Sequence, residues 1–71
     1  MGELAGISGK EAIKRLSKIG YRAIRQRGSH VRLTAAGKKP LTVPLQKELK
    51  IGLLIQIIKD AGISVEEFVA L

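Results

Sequence analysis

Residues 25–33 read RQRGSHVRL, and this stretch decides how the chain folds. Two short segments flank the pair Gly28 and Ser29. A glycine at the first position of a two-residue loop supplies the positive φ that a type II′ turn requires. The stretch therefore predicts a β-hairpin whose strands cover residues 21–27 and 30–34.

The hairpin register assigns each side chain to a face, because side chains alternate along a strand. Arg27 pairs with His30, and Arg25 pairs with Arg32, so these four residues share one face. Arg25 opposite Arg32 is a repulsive pair, which a bound anion would offset. The opposite face carries Ile24, Val31 and Leu33, which are apolar and suit a core. In this register Ile24 pairs with Leu33.

The start of the first strand fits this register poorly. Alternation places Tyr21 on the basic face, although an aromatic side chain favours burial, and places Arg22 on the apolar face. A β-bulge or a strong twist near this point would correct both positions.

The remaining segments predict three helices and one further strand. The segment SGKEAIKRLSKIG, residues 8–20, has an apolar helical stripe and ends at a glycine. LTVPL, 41–45, predicts a short third strand, IGLLIQIIKDAG, 51–62, a second helix, and SVEEFVAL, 64–71, a short final helix. Together they predict an α+β fold of order α-β-β-β-α, with both main helices packed on one face of a three-stranded antiparallel sheet. Capping-box spacing occurs at Ser8 with Glu11 and at Ser64 with Glu67.

The second helix carries two apolar residues beside its main stripe. Leu53 and Ile55 lie about 100° to either side of Leu54 around the helix. They either widen the contact with the core or form an exposed patch for a partner chain. The stripe predicted to face the core contains Ile51, Leu54, Ile57, Ile58 and Ala61.

Positive charge is concentrated in the middle of the chain. The net charge is +7, and the segment from Lys10 to Lys50 holds 12 basic residues against 2 acidic ones. This clustering predicts a polyanionic partner, of which nucleic acid is the natural choice. No segment approaches transmembrane length, and no helix combines a basic face with large apolar anchors. The 71 residues therefore predict one soluble, cytoplasmic domain without membrane contact.

His30 is the only histidine, and it lies among arginines. Surrounding positive charge favours a neutral imidazole, which can act as a general base. On RNA it would take the proton of a ribose 2′-hydroxyl, whose oxygen then attacks the adjacent phosphate. One histidine, no cysteine and scattered carboxylates offer no metal site, so neither metal nor cofactor is expected. The residues expected to bind the RNA are Arg25, Arg27, Ser29, Arg32, Lys38, Lys39, Lys47 and Lys50, with Gly28 shaping the turn.

Two other functions remain open on these residues alone. His30 is equally explained as an exposed polar residue beside a turn, in which case the basic face belongs to a non-catalytic RNA-binding module. The same face would also suit an acidic protein partner. Cleavage assays distinguish an RNA-cleaving enzyme from a non-catalytic RNA-binding module. Salt-dependent RNA binding distinguishes that module from a protein that binds only an acidic partner.

Four segments, in this order, resemble the HicA (YcfA-like) mRNA interferase toxins of type II toxin–antitoxin pairs: SGKEAIKRLSKIGY, RQRGSHVRL, TVPLQKELKIG and AGISVEEF. The resemblance covers nearly the whole chain, so residues 1–71 are expected to form one HicA-like toxin domain. It implies a fold like the double-stranded-RNA-binding domain and ribosome-independent cleavage of mRNA with His30 as the catalytic residue. It also implies a HicB-like antitoxin that covers the active face.

Two features depart from the pattern of this family. Many members carry a second histidine where this chain has Gln46. Members also often have polar residues at the positions of Leu53 and Ile55.

Overall fold

The computed structural model describes residues 2–71. Its elements are a 3-10 helix (Gly2–Leu4), α1 (Gly9–Ser17), β1 (Arg22–Arg27), β2 (His30–Thr34), β3 (Leu41–Pro44), α2 (Ile51–Asp60) and α3 (Val65–Ala70). The predicted order α-β-β-β-α is confirmed, with α3 following as expected. The strands form one antiparallel sheet in the order β1-β2-β3, so β2 is central. The sequence patterns did not predict the 3-10 helix.

One face of the sheet carries the hydrophobic core, and the helices pack on that face. Along β2, buried residues alternate with more exposed ones, as expected for a strand covered on one side. Removal of this apolar surface from water is the main stabilising contribution to so small a domain. The fully buried side chains include Leu16, Leu33, Val43, Leu54, Ile58 and Phe68.

A β-bulge interrupts β1 at Ile24. The predicted pairs nearest the turn, from Arg27 with His30 to Arg25 with Arg32, are all present. The next pair is Ala23 with Leu33, so the predicted pairing of Ile24 with Leu33 is wrong. Because the bulged residue has no cross-strand partner, Ile24 is 53% exposed and does not join the core.

The bulge also reverses the alternation of the residues that precede it. Tyr21 is buried, and its hydroxyl donates a hydrogen bond of 2.7 Å to the carbonyl oxygen of Lys39. Burial raises the pKa of Tyr21, with a smaller contribution from the negative charge of Asp60. Arg22 pairs with Thr34 and is exposed. Both misfits of the regular register are thus removed by one extra residue.

The two capping boxes differ in their outcome. Ser64 and Glu67 form the complete reciprocal pair, with hydrogen bonds of 2.9 and 3.0 Å. Ser8 accepts a bond of 3.0 Å from the backbone N–H of Glu11, but the Glu11 carboxylate accepts instead from Arg15 Nε at 2.9 Å. This hydrogen bond lowers the pKa of Glu11. Half of the first predicted box is therefore absent.

The apolar residues of α2 are divided between core and surface. Leu54, Ile57 and Ile58 are buried as predicted, whereas Ile51 is 40% exposed, so its predicted core position is wrong. Ile51 is the first residue of the helix, three residues before Leu54, the first buried one. Leu53 and Ile55 are also partly exposed and do not join the core. Within residues 2–71, no helix is long and apolar enough to cross a membrane.

Gly9 allows α1 to begin directly against the segment after β3. Its N–H donates a hydrogen bond of 2.9 Å to the carbonyl oxygen of Gln46. A Cβ atom at this position would collide with the carbonyl oxygen of Pro44. The contact is between backbones, so rotation of a side chain cannot relieve it.

We expect Gly9→Ala to lower the free energy of unfolding by about 1–3 kcal/mol, because the helix must move away from Pro44. Gly52→Ala is the matched control. No atom of the described residues outside the local helix lies within 4 Å of a Cβ at Gly52, and alanine favours helix by about 0.5–1 kcal/mol. Urea denaturation measures both. A Gly9→Ala protein as stable as the wild type would contradict the close backbone contact.

Candidate functional site

A shallow hollow of about 180 Å³ lies on the sheet face opposite the helices. We call it the sheet hollow. Its lining residues come from all three strands and are Arg25, Arg27, His30, Arg32 and Thr42.

The hairpin register places these groups side by side. His30 and Arg32 are two residues apart on β2, so their side chains leave the same face roughly 7 Å apart. Arg27 lies directly across from His30, and Arg25 directly across from Arg32. Cross-strand neighbours have Cβ atoms about 5 Å apart. Three guanidinium groups and one imidazole therefore lie side by side on one patch of the sheet.

The turn that sets this register has the predicted geometry. Gly28 has a φ of 54°, and among the described non-glycine residues, including Ser29, none has a positive φ. A positive φ at the first loop position alone is typical of a type II′ turn. Gln26 Nε2 donates to the Gly28 carbonyl oxygen at 2.9 Å, and the Leu45 N–H donates to the Ser29 carbonyl oxygen at 2.6 Å. The hairpin tip is thus hydrogen-bonded both to β1 and to the segment after β3.

The positive charges of the sheet hollow have no acidic partner among residues 2–71. The ion pairs found in this range are Glu11 with Arg15 and Lys39 with Asp60. Neither involves a residue of the sheet hollow. Three uncompensated arginines on one face favour an anion with several acceptor oxygens, because guanidinium groups bind such oxygens in pairs.

Thr42 is a member of the sheet hollow that sequence reasoning missed. It is the cross-strand partner of Arg32 on β3, and its Oγ1 accepts a hydrogen bond of 2.9 Å from Arg32 Nη1. The alternation of LTVPL contains the signal, since Thr42 lies between the buried Leu41 and Val43. This alternation places Thr42 beside Arg32 only when β3 is known to pair with β2.

The four lysines predicted to extend the patch do not line the sheet hollow. Lys38 Nζ donates to the Ala61 carbonyl oxygen at 3.1 Å, and Lys39 Nζ lies 3.3 Å from Asp60 Oδ1, so both bind the C-terminal end of α2. Lysines near the C-terminal end of a helix also interact favourably with the helix dipole. Lys50 is the N-cap residue of α2.

A second cleft lies at the start of α1. Lys47 is found there, together with Gln46. Gln46 is exposed, and its carbonyl oxygen accepts the bond from Gly9 described above. Ser29 is exposed beside the sheet hollow and is not among its lining residues. The cleft is lined by Ser8, Lys10, Leu45, Gln46 and Lys47.

The family model described as HicA toxin of bacterial toxin-antitoxin matches residues 9–63, which include the whole hairpin and β3. The chain belongs to the HicA toxin family. This HicA-family chain is also similar to a solved structure, a toxin–antitoxin complex from Streptococcus pneumoniae, with 33% sequence identity and a TM-score of 0.71. The similarity covers 80% of this chain and 98% of that one. A comparison with curated protein sequences gives no significant match.

We expect inorganic phosphate to raise the melting temperature more than sodium chloride of equal ionic strength does, because it binds only the folded sheet hollow. A concentration ten times the dissociation constant adds about 1.4 kcal/mol, or roughly 6–10 °C for a domain of this size. Arg25→Gln should reduce the shift.

Lys14→Gln is the matched control, because Lys14 is exposed on α1, which packs on the other face of the sheet. It removes the same charge without touching the sheet hollow. Phosphate also stabilises proteins by exclusion from their surface, so the difference between the two variants is the relevant quantity. Equal shifts in both variants would show that the sheet hollow does not bind phosphate.

Proposed function

We propose that this HicA-family protein is the toxin component of a type II toxin–antitoxin pair and an endoribonuclease that cleaves mRNA without a metal ion. The observation that carries the proposal is the position of the only histidine, which lies in a hollow lined by three arginines. His30 acts as the general base, and Arg25, Arg27 and Arg32 bind the scissile phosphate.

The reaction is an intramolecular transesterification. His30 takes the proton of the ribose 2′-hydroxyl, the 2′-oxygen forms a bond to the adjacent phosphorus, and the bond from phosphorus to the 5′-oxygen breaks. The leaving 5′-oxygen takes a proton from the imidazolium or from water. The products are a 2′,3′-cyclic phosphate and a 5′-hydroxyl.

The arginines have the role of stabilising negative charge in the transition state. Charge on the non-bridging oxygens increases as the 2′-oxygen attacks, and guanidinium groups held by a sheet need little reorganisation to bind it. Arg25 and Arg32 flank the phosphate from neighbouring strands, and Arg27 lies across from the base. Ser29 beside the turn remains a candidate hydrogen-bond donor to the RNA. Lys38, Lys39, Lys47 and Lys50 lie outside the sheet hollow and are left out of the proposed site.

The rival function is a non-catalytic RNA-binding module. Such a face would gain affinity from a fourth permanent cation at position 30, because each phosphate contact releases counterions. Histidine is not a permanent cation as arginine and lysine are, and it is the most frequent general base in enzymes. A histidine at this position favours catalysis over binding alone.

We expect His30→Ala to lower the rate of RNA cleavage in EDTA by about 10²–10⁴-fold, the usual contribution of a general base. Because His30 is exposed, the melting temperature should change little. Lys14→Gln serves as the control and should cleave like the wild type. Cleavage products are resolved by their 2′,3′-cyclic phosphate ends.

Full activity in His30→Ala would refute the assignment of the base. RNA binding by the wild type and the variant, without cleavage by either, would support the non-catalytic module instead.

We further propose that a HicB-like antitoxin covers the sheet hollow. Membership in a toxin family and similarity to a toxin–antitoxin complex support such a partner. Its contact surface should be acidic, because opposite charge accelerates association and fixes the register of the complex. Leu53 and Ile55 are exposed on α2, which packs on the other face of the sheet, so they are not part of this contact.

Arg27→Glu should slow association with the antitoxin by about tenfold at low salt, since it reverses a charge at the centre of the contact. Lys14→Glu makes the same charge change away from the sheet hollow and should have a much smaller effect. Stopped-flow mixing with the protein encoded beside this gene measures both rates. Equal rates for the two variants would mean that the antitoxin binds elsewhere.

A further inference from the structure

We propose that Thr42 is a positioning residue that holds the guanidinium of Arg32 in the orientation in which it binds the phosphate. The catalytic half of this inference rests on the proposed function, and the anion-binding half can be tested without it. Thr42 acts through the hydrogen bond of 2.9 Å that its Oγ1 accepts from Arg32 Nη1.

The two cross-strand neighbours of Arg32 have contrary effects on its side chain. Arg25 lies across from it on β1 and repels it, and Thr42 lies across from it on β3 and accepts a hydrogen bond from it. Repulsion alone would leave a long and flexible side chain without a defined position. The hydroxyl fixes one nitrogen of the guanidinium on the β3 side of the sheet hollow, away from Arg25.

The chemistry of the acceptor is as important as its position. A carboxylate at position 42 would also hold Arg32, but it would neutralise the charge that the phosphate requires. A hydroxyl is a neutral acceptor and leaves the positive charge intact. A guanidinium carries five N–H donors, and the bond to Thr42 uses one, so the others stay available to phosphate oxygens.

The position of the hydroxyl is itself well defined. Threonine is branched at Cβ, which restricts its χ1 angle and suits a strand. Leu41 and Val43 on either side are buried in the core and anchor β3. Arg32 therefore has its partner in place before RNA binds, so less conformational entropy is lost on binding.

The matched test compares Thr42→Val with Thr42→Ser. Valine keeps the branched shape and removes the acceptor, whereas serine keeps the acceptor. We expect Thr42→Val to lower kcat/KM for RNA cleavage roughly tenfold, mostly through kcat, and Thr42→Ser to retain most of the activity. The melting temperature should not fall in Thr42→Val, because Thr42 is exposed and valine favours strands.

A double-mutant cycle shows whether Thr42 acts through Arg32. In the Arg32→Gln background, Thr42→Val should have no further effect on kcat, since the group to be positioned is gone. An undiminished effect in that background, or wild-type activity in Thr42→Val, would overturn the proposal.

Phosphate binding separates this inference from the proposed function. The rise in melting temperature with inorganic phosphate should be smaller in Thr42→Val than in Thr42→Ser. If no variant cleaves RNA but this difference is present, the endoribonuclease proposal fails and the positioning role stands for anion binding. If the two variants respond equally to phosphate, the positioning role is refuted whatever the activity.

Discussion

The two-residue turn at Gly28 and Ser29 fixes the register on which the rest of the molecule depends. Because side chains alternate with a period of two, a slip of one residue would exchange the core face and the charged face of the hairpin. Positive φ at Gly28 costs little, and the Ser29 carbonyl oxygen is bound by the segment after β3. The turn thereby holds His30 and its charged neighbours on the face that the helices leave uncovered.

The positive charges of the sheet hollow repel one another in the folded protein. Arg25 and Arg32 oppose each other across two strands, and no acidic side chain among the described residues relieves them. Solvent lowers the cost, since this face is open to water and exposed charges interact weakly. Thr42 contributes a neutral acceptor. A repulsion of this kind is tolerable on the open face of a stable domain, and a bound anion would offset it.

The fold divides a broadly basic chain into cations with different roles. Three arginines on the open face have no ion-pair partner in the described range, whereas Arg15 is bound by Glu11 and stacks at 5.2 Å over the ring of Phe68. Lys38 and Lys39 connect the loop after β2 to the end of α2. Net charge predicted an anionic partner, and the sheet identified which cations lie on the open face, where such a partner would bind.

The sequence by itself determined the order of elements, the turn, and the shared face of the four central side chains from Arg25 to Arg32, because these depend on local periodicity and on one glycine. Tertiary structure decided the exposure of Ile24, the burial of Tyr21 and the place of Thr42. The bulge in β1 and the pairing of β2 with the edge strand β3 depend on contacts between residues that are distant in sequence. A local sequence pattern does not include the energies of such contacts, so these features are decided only when the sheet and the helices pack together.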